Sequence, residues 1–71
     1  MIYRVLYRKA DVPEVPPRFL DFREYEPAVL KEAEHPNALF SDLEDGDVVL
    51  CPNGVALYAR FWGWNYLSVL S

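Results

Sequence analysis

Threonine and glutamine are missing from this chain, and it carries one cysteine, one histidine and three glycines. Cys51 alone rules out an intrachain disulfide, and with His35 as the single imidazole a Cys/His zinc cage lacks ligands. Gly46, Gly54 and Gly63 are isolated, so no glycine-rich loop can cradle a phosphate. The serines are Ser41, Ser68 and Ser71, and none sits in a nucleophile motif. No apolar run approaches the roughly 18 residues of a membrane-spanning helix, and no apolar segment with a small-residue cleavage site opens the sequence. These absences predict a soluble, cytoplasmic protein without metal or cofactor, and one unpaired cysteine agrees with a reducing compartment. Six prolines and no glutamine suit a thermophilic protein, although noise in so short a composition accounts for them equally well.

What is present is apolar and aromatic. The 71 residues are enough for one small domain, 1–71, and are 52% hydrophobic and 15% aromatic. A chain of this size buries only roughly 60–65% of the surface its unfolded form exposes. Five Tyr, four Phe and two Trp are hard to hide in such a core, so an exposed patch covered by a second subunit or a partner is expected. The net charge of −4 is unevenly spread. All eleven acids lie between Asp11 and Asp47, against Arg18, Arg23 and Lys31, so that stretch carries −8. The first ten residues carry +3 and everything after Asp47 carries +1. An acidic chain is repelled by phosphate backbones, which disfavours general nucleic-acid binding but leaves room for a local basic stripe.

Along the chain, residues 2–9 alternate as a strand does. Tyr3, Val5 and Tyr7 share one face and are assigned to the core, with Arg4 and Arg8 on the other. Pro13, Pro16 and Pro17 make 11–18 a stiff connector. Residues 19–24 read as a short strand or, with Asp21 and Glu24 spaced as a capping box, as the start of a helix. A helix is placed over 27–34, opened by Pro27, with Val29, Leu30 and Ala33 as its apolar stripe and Pro36 as its stop. A further turn over 37–43 is expected, capped by Asn37 and pinned by Leu39, Phe40 and Leu43. Glu44-Asp45-Gly46-Asp47 is a turn, and residues 47–70 then form an antiparallel meander. Its strands are 48–51, 55–62 and 65–70. Asn53 and Gly54 supply positive φ at the first turn, and Gly63 breaks the second strand. The fold class is α+β: a small antiparallel sheet of four to five strands with one short helix packed on it. The Gly46-Asp47 step before meandering hairpins resembles part of a small SH3-like barrel, a likeness covering under half the chain that implies no function.

Chemical constellations are few. Asp42, Glu44, Asp45 and Asp47 place four carboxylates in six positions. Counted from Asp42, however, Gly46 and Asn53 miss the glycine and glutamate positions of an EF-hand loop, which leaves a solvated turn. Cys51 paired with His35 is the one nucleophile–base arrangement available, and nothing in its spacing supports it. Cys51 in an apolar strand reads as a small hydrophobe, and His35 as a helix-end charge favouring the dipole. No catalytic residue is assigned. The informative run is Phe61-Trp62-Gly63-Trp64-Asn65-Tyr66. On 55–62, Tyr58, Arg60 and Trp62 alternate with Val55, Leu57, Ala59 and Phe61, so packing the second set on the helix turns the first outward. Arg4, Arg8, Tyr58, Arg60, Trp62 and Trp64 are therefore the expected binding residues, because Trp, Tyr and Arg dominate interaction hot spots. The expected activity is protein contact, as a homodimer or a subunit. The rivals are stacking of single-stranded nucleic acid on the same face and a small enzyme using Cys51.

Overall fold

A computed structural model of the protein describes residues 1–13, 20–61 and 63–67. Five strands form one antiparallel sheet in the order β2-β1-β3-β4-β5, where β1 is Ile2–Leu6, β2 Val29–Glu32, β3 Val48–Leu50, β4 Ala56–Arg60 and β5 Gly63–Leu67. Two short 3-10 helices, Phe22–Glu24 and Pro36–Asp42, complete the described elements. The C-terminal meander is present as β3-β4-β5. The sheet is open, with β2 and β5 at its edges, and the described residues do not close it into an SH3-like barrel.

The expected helix over 27–34 is instead β2, and the fold is mostly sheet rather than a helix packed on a sheet. Eight residues are too few for a helix to stand without tertiary support. Val29 is stiff at χ1, and the free edge of β1 offers a full ladder from Ile2–Glu32 to Val5–Val29. The propensity of the Ala, Lys and Glu residues is overridden by that pairing. Beyond Val29 the register shifts by one residue, since Arg8 bridges Tyr25. The extra residue within 26–28 is a bulge, and it takes in Pro27, which lacks an N–H. Pro36 opens the second 3-10 helix rather than stopping the first, because its fixed φ suits a first helical position. His35, not Asn37, is the residue before it, with no side-chain cap bond. At Phe22–Glu24 half of the capping box forms, on a single 3-10 turn: Asp21 accepts from the Arg23 N–H at 3.0 Å, with no return bond from the Glu24 side chain among the described residues. The expected connector past Pro13 and the ambiguous start at Phe19 lie outside the described residues.

Both faces of the sheet are buried at its centre. The unbroken apolar run Val48-Val49-Leu50 is what a strand covered on both sides requires. On one face Leu6, Val48, Ala56 and Tyr58 pack under Leu20 and Tyr25. On the other, Tyr3, Val5 and Val49 pack under Leu39, with Leu43 and Trp64 at the margin. The facing of Tyr3 and Val5 is as expected, but Leu6 is equally buried beneath the second cover. Gly63 begins β5 opposite Arg60, so β4 stops at Arg60 and β5 starts two residues earlier than the alternation predicts. At the first hairpin only Gly54 has positive φ, +90°. Asn53 contributes differently, accepting the Val55 N–H on its side-chain oxygen at 3.1 Å.

The turn at 44–47 ties these layers together. Asp47 is 5% exposed, not solvated, and its carboxylate accepts the Arg8 N–H at 2.8 Å and the Glu44 N–H at 2.9 Å. Its backbone carbonyl accepts from Ala59 N–H at 2.8 Å, and Gly46 N–H donates to Ala59 at 2.9 Å. The Gly46 carbonyl accepts the Tyr25 hydroxyl at 3.1 Å. Gly46 has φ +96°, and a Cβ there would lie 2.7 Å from Arg8 Nε. That Nε is itself held on the Asp45 carbonyl, while Nη1 bonds the Val12 carbonyl. Asp47→Ala strands two N–H groups in the interior and is expected to cost about 2–4 kcal/mol, and Gly46→Ala about 1–3 kcal/mol, both read from urea midpoints. Burial, chiefly, pushes the Tyr25 hydroxyl well above its ordinary value of 10.0. Its contribution to stability is therefore complete below that value and lost as pH rises past it. Unfolding followed from pH 7 to 11 should show that alkaline loss, and Tyr25→Phe should flatten the part Tyr25 carries.

Candidate functional site

Strand alternation and register assign each expected binding residue to a face. Tyr58 is 1% exposed and belongs to the core under Leu20 and Tyr25, so the expectation that it points outward is overturned. The reason is the second cover: the segment around Leu20 and Tyr25 fills the face assumed to be open. Arg60, on the same face, is half-buried with its guanidinium carbon 6.0 Å from the Tyr58 ring centroid. Trp64 stands opposite Ala59 and so lies on the other face. There its indole N–H donates to Asn37 at 2.7 Å and its ring meets Phe40 edge-on at 5.0 Å, fastening the second 3-10 helix to β5. Trp62 lies outside the described residues. Arg8 is half-buried and engaged in the 44–47 turn, and it does not join Arg4 in an open stripe. Of the described members of the set, Arg4 alone is exposed.

Arg4 sits in a groove the sequence reading did not single out. It is about 630 Å³ in volume and is lined by Ile2, Phe22, Leu30 and Leu50 around Arg4, with Cys51 at one end. Ile2, Phe22 and Leu30 are 51%, 55% and 67% exposed, which is high for large apolar side chains. A shallower hollow of about 380 Å³ continues it past Arg4 and Phe22 to Lys9 and Glu26. Ile2, Arg4, Leu30 and Leu50 share one face because β1 pairs Arg4 with Leu30 on one side and Leu50 on the other. Among the described residues, Leu20 and Tyr25 cover Leu6 and Tyr58 but not this end of the sheet, which Phe22 of the same segment only lines. Placing Leu30 on a helix hid the patch from sequence reasoning, and the pair Ile2 and Arg4 on the non-core face of β1 was the one signal pointing to it. A second exposed pair, Phe61 and Tyr66, lies at the far edge.

The remaining chemistry is thin. Burial raises the Cys51 thiol, opposite to what a nucleophile needs. His35 is exposed at the start of the 3-10 helix, and no hydrogen bond joins it to Cys51 among the described residues. Because β2 replaces the expected helix, there is no helix end for His35 to complement. Among the described residues no three His, Cys, Asp or Glu side chains come together to hold a metal ion. No helix among them is long and apolar enough to cross a membrane. Thiol labelling of native protein at pH 7 is expected to be slower than of an unstructured peptide cysteine, and a faster rate would reinstate Cys51 as a nucleophile.

No family model, curated protein or solved structure matches the chain.

Proposed function

We propose that this chain is a small protein-interaction module, acting through the apolar rim of its sheet around Arg4. One observation carries the reading: Ile2, Phe22 and Leu30, each more than half exposed, line one groove. Contiguous apolar surface with a central arginine is the composition of an interaction hot spot, and leaving it wet costs free energy that a partner recovers. Two of its lining residues, Arg4 and Leu50, are paired on the inner strands β1 and β3, so the sheet itself fixes part of the surface a partner meets. Stacking of single-stranded nucleic acid has less support. Of the rings expected to stack, Tyr58 is buried and Trp64 is on the opposite face from Arg4 and Arg60, which leaves Phe22 as the one exposed ring lining the groove with Arg4 among the described residues.

The test compares wild type with Ile2→Glu/Leu30→Glu as bait, with Phe61→Ser as a far-edge control. Both substituted positions are exposed, so folding stability should change by no more than about 1 kcal/mol. Specific partners retained by wild type and by Phe61→Ser should be lost from the double variant, with about 2 kcal/mol or more of binding removed. Partners held equally by the double variant would overturn the assignment of the surface.

A further inference from the structure

We infer that the partner of this rim is a second copy of the chain, joined edge to edge through β2 in an antiparallel pair centred on Leu30. The inference rests on the interaction reading above and adds the occupant, the register and the symmetry. It starts from the hydrogen-bond phase of the β1–β2 ladder. Met1 and Ala33 exchange both bonds, each N–H donating to the other's carbonyl at 3.0 Å. In an antiparallel ladder such pairs alternate, so Tyr3–Lys31 and Val5–Val29 are bonded while Ile2–Glu32 and Arg4–Leu30 are not. The backbone N–H and C=O of Leu30 and Glu32 therefore point away from β1. Among the described residues no strand lies beyond β2 to receive them.

Edges are normally guarded by an outward lysine, a proline or a bulge. Here the guards stop short. Pro27 and the bulge protect only the part of the edge before Val29. Lys31 is drawn back over β1, its ammonium 5.9 Å from the Tyr7 ring centroid and its pKa raised by hydrogen bonding to the Tyr7 side chain. What remains is a short open edge flanked by exposed Leu30 and Ile2 on one face and by Val29, 42% exposed, on the other.

Such an edge is self-complementary in one register. A two-fold axis through Leu30 lets it exchange both bonds with Leu30 of the second copy and sets Lys31 opposite Val29 of that copy. Leu30 then meets its counterpart on the grooved face, and the two apolar grooves merge across the seam into one strip. Moving the axis to Lys31 places lysine directly against lysine, and moving it to Glu32 places glutamate against glutamate; like charges directly opposite are unfavourable. Moving it to Val29 leaves Val29 as the one β2 residue set against β2 of the second copy, with the rest of the ladder running into the bulge. Bonding phase admits each of these registers, and the longest overlap of β2 with β2 that puts no like charges directly opposite favours the Leu30 axis, giving a ten-stranded sheet with isologous contacts. Each copy carries −4, so the association should strengthen with moderate salt, whereas an acidic ligand on Arg4 would bind more weakly.

Sedimentation and amide hydrogen exchange, on the whole chain over a wide concentration range, test the inference. The expected result is a reversible dimer in which the Leu30 amide gains protection as concentration rises, while the Lys31 amide, bonded to Tyr3, is protected throughout. Leu30→Glu should weaken the dimer roughly tenfold or more and abolish that alternating pattern. Leu30→Met, which keeps both apolarity and edge, should retain it. A dimer whose Leu30 amide stays unprotected, as stacking of the two grooved faces would give, overturns edge pairing. A monomer at every concentration overturns self-association. If that monomer still captures a partner that Ile2→Glu/Leu30→Glu loses, the interaction reading stands and only the second copy is refuted; if it captures none, both fall.

Discussion

The buried carboxylate of Asp47 is the constraint on which the other elements depend. An ionised group can stay inside a small protein only where hydrogen bonds replace its lost hydration, and Asp47 finds them on the Arg8 and Glu44 backbone N–H groups. Those two bonds hold the end of β1 against the turn that leads into β3. The same residue's carbonyl engages Ala59 on β4. The adjacent Gly46 carbonyl draws in Tyr25, and with it the segment that covers Tyr58. A polar knot at one end of the sheet thus sets the registry of three strands and brings in their second cover. Gly46 has to be glycine because its backbone is left-handed and Arg8 occupies the space a Cβ would take.

Covering follows from that knot and stops where it ends. Near Asp47 both faces are closed, by Leu20 and Tyr25 on one side and by Leu39 on the other. Toward the opposite end of β1 the described part of the first cover leaves Ile2 and Leu30 exposed, with its own Phe22 exposed beside them around Arg4. A chain of this length leaves a large share of its surface in contact with water. The uncovered rim coincides with the strand whose outward hydrogen-bonding groups have no partner strand among the described residues. Apolar exposure and an open edge on the same strand support recognition of another chain, because both deficits are relieved by one contact.

The meander was legible because its signals are local. Alternation in 55–61, the Pro52-Asn53-Gly54 turn and the Glu44–Asp47 turn each depend on residues within a few positions of one another. The turn at 37–43 was legible for the same reason, through Leu39 and Phe40. β2 was not, because Val29-Leu30-Lys31-Glu32 has no alternation, and its state is decided by pairing with a strand more than twenty residues earlier. That error moved Leu30 from the sheet to a helix and so concealed the groove. Tyr58 was misjudged for a related reason. Alternation correctly separated the two faces of β4, but which face is open depends on Leu20 and Tyr25, remote in sequence and drawn in by a hydroxyl-to-carbonyl bond. Arg8 likewise looked like surface charge until its backbone and side chain were found serving the 44–47 turn.

By itself, then, the sequence determined the strand-rich C-terminal half, its turns at 44–47 and 52–54 and the lack of a disulfide framework. All of these follow from period, turn chemistry and composition. Tertiary structure alone decided that 29–32 is a strand, that Asp47 is buried, that Tyr58 is core and that Ile2, Phe22 and Leu30 form one rim around Arg4. Each of those outcomes depends on which distant segment supplies a hydrogen-bond partner or a cover, and a short chain offers several ways to satisfy the same local pattern.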